Sequence, residues 1–164
     1  MNLSNFEEKS GVYRTKDTIR PPVGSVHLRL ENVVTGKIIE DLVKNVFVTT
    51  GKNAIAQRLS GQDKGQITYC ALGTGTDAPV EADTDLQTEI FRKIISVRSV
   101  SGNIATLQTF FNTSEANDTL REAGLFGDGA TLTTDSGILF ARTAINRTKT
   151  SSDTLTVTWT VTIG

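Results

Sequence analysis

Few residues in this chain could do chemistry. It has one histidine, His27, and one cysteine, Cys70. His27 falls at an outward position of an alternating stretch, residues 26–31, so a surface place is expected. A Ser/His/Asp or Cys/His pair would have to use it, and nothing near it in sequence marks a nucleophile. One histidine with one cysteine is too few for a zinc centre. Cys70 lies in the apolar run ITYCAL and reads as a small buried hydrophobe, not a reactive thiol. Gly73-Thr74-Gly75-Thr76 has the look of a phosphate cradle. It lacks the third glycine of the dinucleotide fingerprint and the Gly-Lys-Ser/Thr of a P-loop. A tight turn leaving a buried strand is the favoured reading. Asp77, Glu81, Asp83 and Asp85 make the same loop acidic. Oxygen-rich loops can hold Ca²⁺, but this spacing is not that of an EF-hand. A solvated loop with Asp83 or Thr84 capping a short turn is favoured, and the loop could also dock on a partner. Glu89 with Arg92, and Arg121 with Glu122, place charges beside apolar stretches. Structural ion pairs or interface contacts are expected there, with paired carboxylates for acid–base work as the alternative. Asn112, Asn117 and Asn146 each begin an Asn-x-Ser/Thr triplet, which a threonine-rich chain produces by chance. No catalytic, cofactor or metal site is expected.

The elements that would position these residues are mostly strands. Residues 26–31 alternate, with Val26, Leu28 and Leu30 inward. Thr35-Gly36 signals a turn, and residues 37–43 complete a hairpin. Residues 45–49 continue extended. Residues 51–59 form the one convincing helix, with Thr50 as cap, Ile55 and Leu59 one turn apart, and Gly61 as stop. Residues 67–72 read as a buried strand, and a turn-rich loop follows. Residues 86–100 and 103–111 suggest a hairpin around Ser101-Gly102, the second arm having mixed periodicity. Residues 138–145 are another strand. The clearest is 154–163, TLTVTWTVTI, where Leu155, Val157, Trp159, Val161 and Ile163 share one face and threonines the other. A strand this long is expected inside a sheet or against another subunit.

Composition excludes several classes. The 164 residues fit one domain with a core of its own. Seventeen basic against eighteen acidic residues do not make a basic nucleic-acid binder. A lone cysteine is no disulfide framework. No apolar run approaches membrane-spanning length. The 25 threonines favour pleated sheet. The first 22 residues are polar, end on Pro21-Pro22, and show no secretory signal pattern. Such a segment cannot bury enough to order itself. A neighbouring subunit is expected to hold it; the alternative is packing on its own domain through Phe6, Val12 and Tyr13.

Five phrases carry a likeness to known proteins: VTTGKNAIAQRLSG at 48–61, ITYCALGTGTDAPVEADTDLQTEIFRK at 67–93, NDTLREAGLF at 117–126, LFAR at 139–142 and KTSSDTLTVTWTVTI at 149–163. Together they resemble a family of small virion proteins encoded in the structural modules of tailed bacteriophages and prophages, often labelled tail-fibre or baseplate-associated. The resemblance covers about 26–163 and leaves residues 1–25 outside. It implies assembly, and it brings no catalytic motif that maps onto positions here.

The expected fold is therefore all-β: an antiparallel β-sandwich with one short helix over residues 23–164, preceded by an extended N-terminal arm, residues 1–22. The expected function is a non-enzymatic structural part of a tailed phage virion, as a tail fibre, adaptor or baseplate-peripheral subunit anchored by the arm. A capsid decoration protein on the head and a receptor- or carbohydrate-binding module are the alternatives. Partner contacts are expected at Phe6, Val12, Tyr13 and Arg20 of the arm, at Asp77 and Asp83 of the acidic loop, and at Arg121 and Glu122 of the segment 115–129. The partners would be other virion proteins and further copies in a symmetric homo-oligomer, with a host surface receptor open. Neither nucleic acid nor membrane is expected. The place would be the virion, assembled in the bacterial cytoplasm.

Overall fold

A computed structural model describes residues 22–64 and 66–163. The arm lies almost wholly outside the described residues, so Phe6, Val12, Tyr13 and Arg20 do too.

Among the described residues, ten strands form two antiparallel sheets packed face to face, an all-β sandwich with one helix. β1 (Val23–Asn32) pairs with β2 (Ile38–Lys44) across a turn in which Asn32 Oδ1 accepts the N–H groups of Val34 and Thr35. Gly36 sits there at φ +70°, a conformation that favours glycine. β3 (Val46–Phe47), α1 (Thr49–Leu59), β4 (Ile67–Gly73), β5 (Glu89–Ile94) and β6 (Val97–Ser101) follow. β7 (Ile104–Phe111), β8 (Thr119–Gly127), β9 (Ile138–Thr148) and β10 (Asp153–Thr162) complete the chain. One sheet runs β2-β1-β10-β7-β6 and the other β3-β9-β8-β4-β5.

The alternation along β10 does what it predicts. Leu155, Val157, Trp159 and Val161 are buried, and the strand lies between β1 and β7 in the middle of its sheet. Val26, Leu28 and Leu30 of β1 meet them in register, opposite Trp159, Val157 and Leu155. β7 contributes Leu107 and Phe111 to the same core, while Gln108 and Phe110 face outward beside Thr158 and Thr156. From the second sheet, Cys70, Leu72, Leu120, Leu125 and Ala141 close the core.

Among the described residues the chain changes sheets four times; two of the crossings are tight corners, Asn45 between β2 and β3, and Ile95-Ser96 between β5 and β6, and the others join β7 to β8 and β9 to β10. The second corner corrects one expectation. Residues 86–100 are not one arm of a hairpin; Ile95, buried at the bend, hands the chain from one sheet to the other. The hairpin itself is β6–β7, with Ser101 opposite Ile104 and Gly102 at φ +58°. A further correction concerns residues 115–129, expected at a partner surface. Most of them form β8, the central strand of the second sheet, buried without a break from Glu122 to Gly127.

Both faces of that sheet are covered. Opposite the main core, Val48, Ala71, Leu86, Phe126 and Leu139 form a smaller cluster beneath the loop 74–88 and the start of α1. The helix also departs from the sequence reading. It begins at Thr49, and Thr50 does not cap it: the Thr50 hydroxyl donates to the Leu139 carbonyl at 2.9 Å. Its buried residues are Gly51 and Ala54, and Leu59 is 85% exposed. Gly51 seats the helix on β9, since a Cβ there would lie 2.5 Å from Phe140 Cα. An alanine in place of a helix-interior glycine ordinarily stabilises by about 1 kcal/mol. Gly51→Ala is expected to reverse that sign and lose about 1–3 kcal/mol through overpacking against backbone. Urea unfolding checks it, and a gain in stability would mean the helix is not seated this closely.

Candidate functional site

The chemistry-bearing side chains gather on the outer face of the second sheet. β8 turns Glu122, Gly124 and Phe126 outward, and β9 brings Arg142 opposite Gly124. Arg142 is 3% exposed and Glu122 is 1% exposed. A buried charge needs a partner and hydrogen bonds. Here Arg142 Nη2 lies 2.8 Å from Glu122 Oε2, and Arg142 Nε donates to the same oxygen at 2.9 Å. Arg142 Nη1 reaches Asp83 Oδ2 at 2.8 Å, and Nη2 also donates to the Asp77 carbonyl at 3.1 Å. Burial alone would lower the Arg142 pKa, but Asp83 and Glu122 outweigh it and hold it above the ordinary value.

Glu122 is the centre of the arrangement. Its Oε1 accepts the N–H groups of Gly75 at 3.0 Å and Thr88 at 2.7 Å, and its Oε2 accepts that of Gln87 at 3.0 Å. Three backbone donors thus surround one carboxylate. The Gly73-Thr74-Gly75 turn supplies one of these donors, Gly75, and the anion it meets is the protein's own. Both glycines are needed for that approach: a Cβ on either would lie 2.5 Å from Glu122 Oε1. The loop is closed further by Val80 N–H on Asp83 Oδ2 at 2.9 Å, Asp77 N–H on Gln87 Oε1 at 2.9 Å, and Thr49 N–H on the Glu81 carbonyl at 2.7 Å. Asp83 therefore caps a turn as expected, and is bound to Arg142 besides.

Asp77, Asp83 and Glu122 are thus brought together around Arg142, which sequence reasoning missed. Glu122 has no free surface for a partner, a correction to its expected role, because its lone pairs face backbone N–H groups and a guanidinium. Arg121 points the other way, away from this site, and donates to Asn146 Oδ1 at 2.6 Å. Asp77 is exposed.

Two further buried cations follow the same logic. Arg92 pairs with Glu89 at 2.5 Å, donates to the Thr131 and Ser136 carbonyls, and stacks 4.5 Å from the Phe126 ring centre. This is the structural ion pair expected there. Lys149 donates to the Asn112 carbonyl at 2.7 Å and Asn117 Oδ1 at 2.8 Å, pinning the β7–β8 turn. Burial lowers its pKa, against the pull of Asp153 and Glu115. His27 is on the outer face of the first sheet, 3.6 Å from Glu40.

Cys70 is fully buried, and Trp159 Nε1–H donates to its Sγ at 3.4 Å. Burial pushes the thiol up to about 12, against a smaller opposite pull from Trp159. The folded thiol therefore prefers its neutral form. Its contribution to stability is whole below the unfolded value of about 8.5, and is lost as pH rises toward about 12. We expect no reaction with an aromatic disulfide reagent at pH 8 in the native protein and one thiol per chain in denaturant. The urea midpoint should fall above about pH 8.5, less so in Cys70→Ala. Fast native labelling would contradict the burial.

Two concavities stand out. One of 490 Å³ is bounded by the acidic loop and Arg142. One of 610 Å³ lies between the β1 start, the Asn45 corner and Lys52 of α1. Among the described residues no group of three or more His, Cys, Asp or Glu side chains could hold a metal ion, and no helix is long and apolar enough to cross a membrane. Compared with protein-family models, curated proteins and solved structures, the chain matches none.

Proposed function

We propose that this chain is a non-enzymatic structural component of a tailed phage virion: a tail-fibre, adaptor or baseplate-peripheral subunit, anchored by residues 1–22. The observation that carries the reading is the Glu122 carboxylate enclosed by the loop it organises. A carboxylate that does acid–base work needs access to a substrate proton. This one is occupied by three backbone N–H groups and Arg142. Its effect is to hold a long loop in one shape across the outer face of a rigid sandwich, which is how loops are prepared for docking on other proteins.

The phrases behind the phage resemblance support the same reading. Asp83 lies in the second of the five phrases, residues 67–93, Glu122 in the third, 117–126, and Arg142 in the fourth, 139–142. The likeness therefore falls on the residues that lock the loop to the sheet. Virion parts are repeated copies held by one interface, and a rigid loop repeats the same contact in every copy.

The test is particle composition. Particles induced from a strain carrying this sequence should contain the chain, seen by mass spectrometry of purified virions, with its density on the tail. Deletion of residues 1–22 should abolish incorporation while the domain stays folded by circular dichroism. Normal incorporation of the truncated chain would remove the anchoring role. Density with head symmetry would make it a decoration protein. Absence from particles, or turnover of host polysaccharide by the purified chain, would overturn the proposal.

A further inference from the structure

The 610 Å³ groove opens where the described chain begins, with Pro22, Val23, Lys44, Asn45, Val46 and Phe47 among its lining. Two strand edges border it. β1 pairs with β10 from Val23 onward but with β2 only from Ser25. β3 pairs with β9 and ends its sheet. The corner at Asn45 takes the chain off the edge of β1, so Val23 and β3 each keep a side with no strand against it among the described residues.

Asn45 makes the groove more than a gap. Both polar atoms of its side chain, Oδ1 and Nδ2, are buried and find no partner among the described residues. Buried polar groups are almost always satisfied, and an exception calls for a cause. A free amide donor beside a free amide acceptor is the complement of one peptide group. The side chain is also held in place: a Cβ at Gly24 would lie 2.3 Å from Asn45 Oδ1, so only glycine leaves room for it.

We propose that this groove receives residues 1–21 of a second copy of the chain, laid in as an extended strand against β1 and β3, with one of its peptide groups satisfying Asn45. Strand addition at a free edge supplies the backbone bonds, and the lining supplies the selectivity. The segment has matching chemistry. Phe6 suits the apolar wall of Val23 and Val46, and Glu7-Glu8 suit Lys44, an exposed cation at the groove's rim. Its length suffices: about 20 residues span up to ~65 Å, against a domain diameter of about 40 Å. Pro21 and Pro22 each disfavour the helical conformation in the residue before them, so the sequence favours a segment that leaves its own domain. The inference rests on the proposed function only in treating the chain as one of several copies in an assembly.

The test is a cross-link between copies. One 164-residue chain carries Ser4→Cys and a differently tagged, co-expressed chain carries Ser25→Cys in the groove lining, so that Phe6 and Lys44 stay intact. Cys70, fully buried, does not compete. A short bismaleimide should give a covalent heterodimer, and Asn45→Ala on the groove-bearing chain should cut its yield several-fold without unfolding the domain by circular dichroism. Cross-linking only when both cysteines share one chain, no cross-link at all, or a yield indifferent to Asn45→Ala would each overturn the inference. None of these results touches virion membership, which is read from the particles themselves.

Discussion

Arg142→Ala is expected to lose about 3–5 kcal/mol of folding stability, because it strands a buried carboxylate. The cost follows from what remains. Glu122 would keep its three backbone donors but lose the cation that compensates its charge, in a place closed to solvent. Asp83 and the Asp77 carbonyl would lose their partner as well. Glu122→Ala should cost a similar amount for a different reason: the N–H groups of Gly75, Gln87 and Thr88 would lose their acceptor, and Arg142 would keep only Asp83 and the Asp77 carbonyl. Replacing a buried pair by apolar residues often restores stability. Here it should not, since no apolar side chain can accept those three backbone bonds. The double variant is therefore expected to cost no less than either single one, with a coupling of about 1–3 kcal/mol between the sites. Urea unfolding of the four proteins, compared at equal slope, measures it. A loss under about 1 kcal/mol for Arg142→Ala would show that the pair is not buried as described.

That network also shows where sequence stops being legible. The strands of the first sheet were readable because one face is dry and the other wet, so residues alternate visibly along β1 and β10. β8 has no such contrast. The main core covers one face and the loop 74–88 covers the other, so TLREAGLFG is nearly continuous in burial and its strand character is hidden. Asp77, Asp83 and Glu122 drew notice as charges, and surface contact is the usual inference from a charge. The signal against it was Arg142 inside the apolar run ILFARTAI, since a charge in a buried strand must have a counter-charge somewhere. Its partners lie 20 and 59 residues away, a distance that no local pattern encodes. The helix failed for a related reason. Periodicity pointed to Ile55 and Leu59, whereas the contact that seats it is made by Gly51, a residue without a side chain to reveal it. The corner at Ile95-Ser96 is a two-residue bend with no compositional mark.

Trp159→Ala is expected to cost about 3–5 kcal/mol, the range for emptying a large buried aromatic site. Trp159 is 1% exposed at the middle of the central strand of its sheet, flanked in register by Val26 on β1 and Leu107 on β7. No neighbour can relax far into the space, because each belongs to a paired strand. Trp159→Phe keeps most of the volume and removes the Nε1–H bond to Cys70 Sγ, so about 1–2 kcal/mol is expected. Thr156, on the same strand but the opposite face, provides the control: Thr156→Ala should change stability by about 1 kcal/mol or less. The contrast separates the two faces of one strand. If Thr156→Ala alone proved as costly as Trp159→Ala, the threonine face would itself be covered in solution, and the first sheet would be an interface between copies.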